Sequence, residues 1–409
     1  LKQLMDFREF IQQFCLGNLA NKEVEMNDIV ITGMGIVGPC GTSVEMFWSN
    51  LLHGNTNKLK DGSKSLYAGI VGKKIPEKLF PKRLINKCDD FSKMALWSSY
   101  EAISVAEIEE IDSNRVGIFI GNNTGGWNSS FSGLRKLHKL KSPVSPYMAS
   151  NWFPAAVQGH MSIAYGFKGI SKTFIADKVS ALYALKFAVQ AIESGQIDIA
   201  VVGGVEAPVN EWALKFYANT GEISKDDNYY FFDRMGRQGY LISEGAGFLI
   251  LEKKSHALQR NAPKILGTLK KIIVGNCPSD IFSSKYETYK RLIETLIAEE
   301  CGKKLFIPAC SGNYLNDEIE NKIINRYFYN DIVSLAKTKF GNTIAASSII
   351  DGILSIIAMN KSIIPVAANG SDFNQDSKMA ELHEKISTSI VMSIGYGGSF
   401  GGVVLSYDI

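Results

Sequence analysis

The sequence predicts a mixed α/β protein, and three observations carry that expectation. The stretch 169–206, GISKTFIADKVSALYALKFAVQAIESGQIDIAVVGGVE, reads as strand, sharp turn, long apolar helix and strand. A strand followed by a small polar turn occurs as VGIFIGNNTGG and again as KLFIPACSGN; a Gly-rich strand pair occurs as GYLISEGAGFLILE and again as GYGGSFGGVVLSYD, so the chain has two similar halves. With 409 residues, 45% of them hydrophobic, there is ample core for one large α/β unit or two domains.

Taken in order, residues 1–26 form an N-terminal extension without the continuous apolar core of a signal peptide. Phe7, Phe10, Ile11 and Phe14 fall at helical spacing, which fits a short amphipathic helix lying on the body or a flexible leader. From Asn27 the fold proper begins. Ile29 to Thr32 reads as a buried strand, and Thr42 with Glu45 as a capping box for a helix running to Gly54. The GMG at 33–35 lacks the third glycine and the acidic residue of a dinucleotide fingerprint. Residues 89–108 read as a helix and 116–120 as a strand opening into GNNTGG, which has no Lys-Ser/Thr of a phosphate loop. Within 169–206, Thr173 to Ala176 is expected as a strand, with Asp177 and Lys178 in the turn. A helix from Val179 then carries Leu182, Leu185, Phe187, Ala188 and Ile192, and Gly195 closes it. The next strand, Ile197 to Val202, is expected to end in a turn at Gly203 and Gly204. The polar, basic segment Lys253 to Lys264 divides an N-terminal half, 27–261, from a C-terminal half, 262–409. Thr343 to Met359 is apolar but interrupted by Asp351 and small residues, which favours a buried central helix over a membrane span.

A net charge of +3 is too small to argue for nucleic acid, and Arg135, Lys136, Lys139 and Lys141 read as a solvated helix face. The six cysteines show no C-x-x-C and no regular spacing, so neither a metal site nor a disulfide framework is expected; this fits a reducing cytoplasm. The turn at Asp177 and Lys178 sits at the positive end of a helix, where free N–H groups and the dipole stabilise a thiolate or an oxyanion. Lysine occupies the place where a nucleophile is looked for.

The pattern Gly169-x-Ser171-x-Thr173, with Asp198-x-Ala200-x-x-Gly203-Gly204-x-Glu206 after the helix, resembles the nucleophile region of the β-ketoacyl synthases, the condensing enzymes of thiolase fold. That resemblance implies five layers, αβαβα, with two helices buried between two sheets. Active members carry a cysteine where Lys178 stands. Their two histidines, in H-G-T-G-T and in K-x-x-x-G-H, are replaced here by Ala309 in ACSGNYLNDEIE and by Asn342 in KTKFGNT, while Asp317, Glu320, Lys337 and Gly341 are kept. Decarboxylative condensation needs a thiolate for the growing chain and imidazoles for the developing enolate, so the resemblance implies no condensing activity for this chain alone.

Loss of these groups is a property of the chain length factors of type II polyketide synthases, which the chain resembles from about Ile29 to Tyr407. The spacing Ala176 to Leu182, the pair Trp152 and Phe153, GGVEAPVNEW and FDRMGRQGYLISEGAGFLILE carry the likeness. It implies a heterodimer with a catalytic ketosynthase, with Trp152 and Phe153 at the interface, and acyl carrier protein and the growing polyketide as further partners. No cofactor, metal, nucleic acid or membrane is implied. Trp127, Ser130 and Leu134, at i, i+3 and i+7 on one helical face, match the gates of the polyketide tunnel; bulky Trp127 is expected as the main stop, giving a product of medium, octaketide-like length. Lys178 is expected to form a salt bridge within the disused pocket, with a lysine nucleophile as the alternative. His160 is the candidate to stand in for the lost imidazoles, and Tyr396 occupies the place of the family's gating phenylalanine. Two alternatives remain: an acyl-transfer enzyme acting as a homodimer through Lys178 or Cys310, and a structural partner subunit in an aryl-polyene or fatty-acid-like pathway.

Overall fold

A computed structural model of the chain describes residues 28–60, 67–71, 79–108, 111–224, 229, 231, 239–277, 282–369, 380–381 and 385–407. The expected N-terminal helix lies outside these residues. Ten strands form the frame: β1 (Ile29–Val37), β2 (Val116–Gly121), β3 (Ser171–Phe174), β4 (Ile199–Glu206), β5 (Gly245–Lys253), β6 (Gly267–Asn276), β7 (Lys304–Ile307), β8 (Ile332–Ser334), β9 (Thr388–Ile394) and β10 (Ser399–Ser406). The first five lie side by side in the order β3-β2-β4-β5-β1, and the last five in the order β8-β7-β9-β10-β6. Each set therefore repeats one topology, with parallel pairs on the β2 or β7 side and antiparallel pairs elsewhere. The two motif pairs singled out in the sequence fall on β2 and β7 and on β5 and β10, which occupy matching places.

The halves meet where β1 pairs with β6 over Ile29–Leu269, Val30–Thr268 and Ile31–Gly267, so a single hydrogen-bonded ladder runs through both sheets. Helices cover both faces: α1 (Val44–Leu52), α2 (Asp90–Ala106), α3 (Trp127–Lys139), α4 (Ala156–Tyr165), α5 (Ser180–Glu193), α6 (Glu211–Thr220), α7 (Phe282–Ile297), α8 (Tyr314–Tyr327) and α9 (Ser347–Lys361). α2, backed by α4, packs outside β1, β4 and β5; α7, backed by α8, packs outside β6 and β10. Between the sheets, α5 contacts β2, β4 and β6, while α9 contacts β5 and β9. This is the five-layer thiolase fold.

α9 is buried along nearly its whole length, from Ser347 to Met359. Its Ile349, Ile350, Ile353, Leu354, Ile356 and Ile357 each contribute about 1.5–3 kcal/mol by leaving water. The segment Ile344–Lys361 is apolar enough to cross a membrane by length and composition, yet it is 89% buried inside the protein.

Three expectations are corrected. The strand before the nucleophile position is Ser171–Phe174 and ends before Ile175, because Ile175 points outward and Asp177 adopts φ 51°. Gly203 and Gly204 lie within β4 rather than in a turn: a Cβ would come within 2.2 Å of the Gly247 oxygen at the first and 2.5 Å of the Ala345 oxygen at the second. Close packing of β5 and the turn before α9 demands these glycines, so they mark contact and not chain reversal. The cap of α1 is Ser43, whose hydroxyl accepts from the Met46 N–H; Thr42 is buried just before it.

Candidate functional site

The nucleophile corner is built from a strained turn. Ala176 to Lys178 leads from β3 into a 3₁₀ turn, Asp177–Val179, that precedes α5. The hairpin between β9 and β10 clamps that segment at three points. Ser399 Oγ donates to the Ala176 carbonyl (3.2 Å), the Tyr396 N–H donates to the Asp177 carboxylate (2.8 Å), and Ser393 Oγ donates to the Lys178 carbonyl (2.7 Å). A positive φ at a non-glycine residue costs free energy, and these bonds hold it in place. The result is that Lys178 is directed inward and is only 4% exposed.

There its ammonium donates to Glu222 Oε2 at 3.1 Å and to the Ser311 carbonyl at 3.4 Å, and lies 4.5 Å above the ring of Tyr240. Ion pair, carbonyl and aromatic face together satisfy a buried cation. Glu222 follows Gly221, the left-handed residue that ends α6. Nothing in its local sequence distinguishes it from a surface glutamate, so reading the sequence supplied the expectation of a salt bridge but not the partner. Tyr240 and Tyr229, whose rings are 6.3 Å apart, were missed for the same reason.

Ala309 and Asn342 stand on the other side. Ala309 and Cys310 follow β7, and both their N–H groups donate to Glu320, at 2.7 and 3.0 Å. Lys337 Nζ donates to the Ala309 carbonyl (2.9 Å) and pairs with Asp351 of α9 (2.7 Å). Burial pushes the Glu320 carboxyl up to about 7, against the pull of these N–H groups and Lys337. Ala309 is thereby held in position with only a methyl to offer. Asn342 has its amide oxygen taken by the Ile344 N–H (2.8 Å) and Ser347 Oγ (3.0 Å), while its Nδ2 donates to the Tyr229 hydroxyl (3.4 Å). That hydroxyl donates in turn to the Cys310 carbonyl. Lys178, Ala309 and Asn342 are thus linked through one buried contact network that runs by way of Ser311, Cys310, Tyr229 and Tyr240. Cys310 belongs to it, with φ 46° and its thiol pushed well up by burial.

His160 is not brought there. It lies on α4, its Nδ1 is 3.0 Å from Ser92 Oγ on α2, and burial, aided by Lys87, lowers its pKa. Tyr396 is 71% exposed, its ring outside the pocket while its N–H holds Asp177. Among the described residues no cluster of His, Cys, Asp or Glu has the arrangement of a metal site.

A second group of residues lies at the start of α3. The loop after β2 is tied to β4: Asn122 Nδ2 donates to the Val205 carbonyl (2.6 Å), and Glu206 accepts from the Asn123 N–H and from Thr124. Burial raises the Glu206 carboxyl to about 8. Gly125, at φ 63°, leaves room for the Trp152 carbonyl, which a Cβ would approach to 2.3 Å. This loop delivers Trp127 as the first residue of α3, half-buried, stacked on Trp212 (5.7 Å between ring centres) and edge-on to Phe216 (5.6 Å). Ser130 folds its hydroxyl back onto the Gly126 carbonyl (2.9 Å), and Leu134 is half-buried one turn further on. Trp212 and Phe216 sit at i and i+4 on α6 and are both exposed, a spacing that marks an aromatic face but says nothing of Trp127. Trp152 and Phe153 are 53% and 51% exposed.

Residues 26–257 match the family model described as beta-ketoacyl synthase, N-terminal domain. The chain is 25% identical over 408 residues to the tetracenomycin polyketide synthase ketoacyl synthase beta subunit of Streptomyces glaucescens, covering 92% of this chain and 98% of that protein. Among solved structures, a type II PKS complex of acyl-carrier protein with its hexaketide-bound ketosynthase superposes with TM-score 0.73 at 25% identity, covering 93% of this chain and all of that one. The ishigamide ketosynthase/chain length factor superposes with TM-score 0.82 at 19% identity, over 94% of this chain and all of that one, a likeness of fold. By the model matched over residues 26–257, the chain belongs to the β-ketoacyl synthase family.

Proposed function

We propose that the chain is a non-catalytic chain length factor of a type II polyketide synthase, pairing with a catalytic ketosynthase and setting the length of its product. One observation carries this reading: Lys178, Ala309 and Asn342, which we match to the family's thiol and two imidazoles, belong to one buried contact network, and the groups they bring to it are an amine paired with Glu222, a methyl and a carboxamide whose oxygen is already bonded. Such a set cannot hold an acyl chain as a thioester or stabilise an enolate. A free ammonium is the feature that would suit a malonyl carboxylate, and Glu222 has taken it.

Pairing is supported by surface that the single chain leaves uncovered. Of the thirteen residues of α3, Gly133 alone is buried. Around it stand Trp152, Phe153, Trp212 and Phe216, with Ile163 (72% exposed) and Ile175 (60%) beside β3, a terminal strand of the sheet. Exposed aromatic side chains and an open strand edge are features of surfaces that a partner covers, and they support the pairing. A cytoplasmic setting and acyl carrier protein as donor complete the reading.

Trp127, Ser130 and Leu134 are read as gates because they lie on this uncovered helix. Co-expression of the chain with its ketosynthase is expected to give a stable heterodimer, and Trp127→Ala in that complex is expected to lengthen the polyketide by one or more two-carbon units, read by mass spectrometry. An unchanged chain length from an intact mutant complex returns Trp127 to the status of packing residue. A covalent acyl adduct on Lys178, detected by intact mass after incubation with acyl carrier protein, overturns the non-catalytic reading.

A further inference from the structure

The pocket around Lys178 differs from an abandoned site, in which small residues would leave space behind. Here the space is refilled by groups drawn from separate parts of the chain: Lys178 from the turn before α5, Glu222 from the segment after α6, Tyr229, and Tyr240 just before β5. All four are buried, and Tyr240 ranks among the largest fully buried side chains of the protein. Each is also fixed by a specific bond. Lys178 is held by Glu222, Ser311 and the Tyr240 ring; Tyr229 is held by Cys310 and Asn342. A lone lysine here would leave a buried charge uncompensated, and a lone glutamate likewise, so the two are required together.

We propose that the Lys178–Glu222 ion pair is a plug, with Glu222 as its positioning residue, that closes this subunit's own acyl pocket and confines acyl chains to the partner's side of the assembly. This deepens the non-condensing reading above and rests on it. The ion pair joins the turn before α5 to the segment after α6, and the same ammonium ties that turn to the loop after β7 through the Ser311 carbonyl; an extended acyl chain cannot pass while the ammonium holds both Glu222 and that carbonyl. Breaking into this site means separating a buried ion pair without water to receive the charges, which makes the closure tight.

The test is binding of S-octyl pantetheine, a thioether that cannot transfer its chain, measured by calorimetry on the full-length chain and its variants. Wild type and the space-filling, uncharged Lys178→Met/Glu222→Gln variant are expected to bind weakly. Lys178→Ala/Glu222→Ala, which opens the pocket, is expected to bind about tenfold tighter or more, close to 1.4 kcal/mol. Wild type binding as tightly as the Ala/Ala variant overturns the plug, as does a cooperatively folded Ala/Ala variant that gains nothing. Should that variant fail to fold, the native thiol of Cys310 is titrated with N-octylmaleimide in wild type and in Lys178→Ser/Glu222→Ser, which shortens both side chains. Alkylation about tenfold faster in the double variant supports the plug, and equal rates overturn it. Because the thioether cannot acylate an amine, a failed plug leaves the non-catalytic reading standing, whereas acylation of Lys178 by carrier protein sinks that reading independently.

Discussion

Lys178 and Glu222 meet at 3.1 Å with side chains 5% and 10% exposed, and a pair this deep has an asymmetric energetic signature. Removing one partner strands the other, at about 3–5 kcal/mol, whereas replacing both with apolar residues of similar volume is roughly neutral. Lys178→Met is therefore expected to lower the urea midpoint strongly, and Lys178→Met/Glu222→Leu to restore most of the loss; additive effects in this double-mutant cycle would show that the contact is not energetically coupled. Condensing activity is not expected from Lys178→Cys, since Ala309 and Asn342 supply no imidazole. Lys178, Ala309 and Asn342 could be singled out in the sequence because each stands inside a local pattern that resembles the family's. Glu222, Tyr229 and Tyr240 were not, since they reach the pocket from other segments and their neighbours in sequence carry no trace of it.

Among the elements, strands and buried helices were the most legible. Runs of apolar residues fix β2, α2, α5 and α9 within a few positions, because burial on all sides leaves little choice of residue. Errors arose where one residue type serves two purposes. Glycines at 203 and 204 look like a turn but serve close approach inside β4, so Gly203→Ala is expected to cost about 1–3 kcal/mol or more by thermal melting, through overpacking against Gly247 and Phe248. Ile175 looks like strand interior but is exposed just after β3. α3 illustrates the converse: spacing places Trp127, Ser130 and Leu134 on one face and only the family resemblance implies a gate there, yet the shelf of Trp212 and Phe216 that holds Trp127 lies on α6, in a part of the sequence with no link to α3. Trp212→Ala is accordingly expected to loosen the Trp127 ring and to broaden the distribution of product lengths in the paired complex, where Trp127→Ala shifts its mean.

For the whole molecule, burial makes a prediction about pH. Glu101, Glu244 and Glu320 are pushed up to about 7 and Glu206 to about 8, each chiefly by burial. The unfolded chain releases these protons near the ordinary value of 4.5, so between that pH and about 8 the folded chain binds more protons than the unfolded one. Stability must then fall as pH rises through this window, by up to about 1.4 kcal/mol per carboxyl per pH unit. His160, held low by burial, acts in the opposite sense, but it is one group against four. Urea midpoints measured from pH 5 to 8 are expected to decline, and a rising trend would show that these carboxyls are ionised in the native state. The duplication of topology was legible in the paired motifs, whereas the pairing of β1 with β6 that joins the halves was not, because a three-residue ladder leaves no pattern in either strand.

α3, with one buried residue in thirteen, has a consequence for the life of the protein in the cell. Under the pairing proposed above, a helix that a second chain finishes covering is open to proteases for as long as that chain is missing, since local opening exposes its backbone. Copies made in excess of the partner would then be cleared first, and subunit stoichiometry would be corrected by protein lifetime, without any need for matched rates of synthesis.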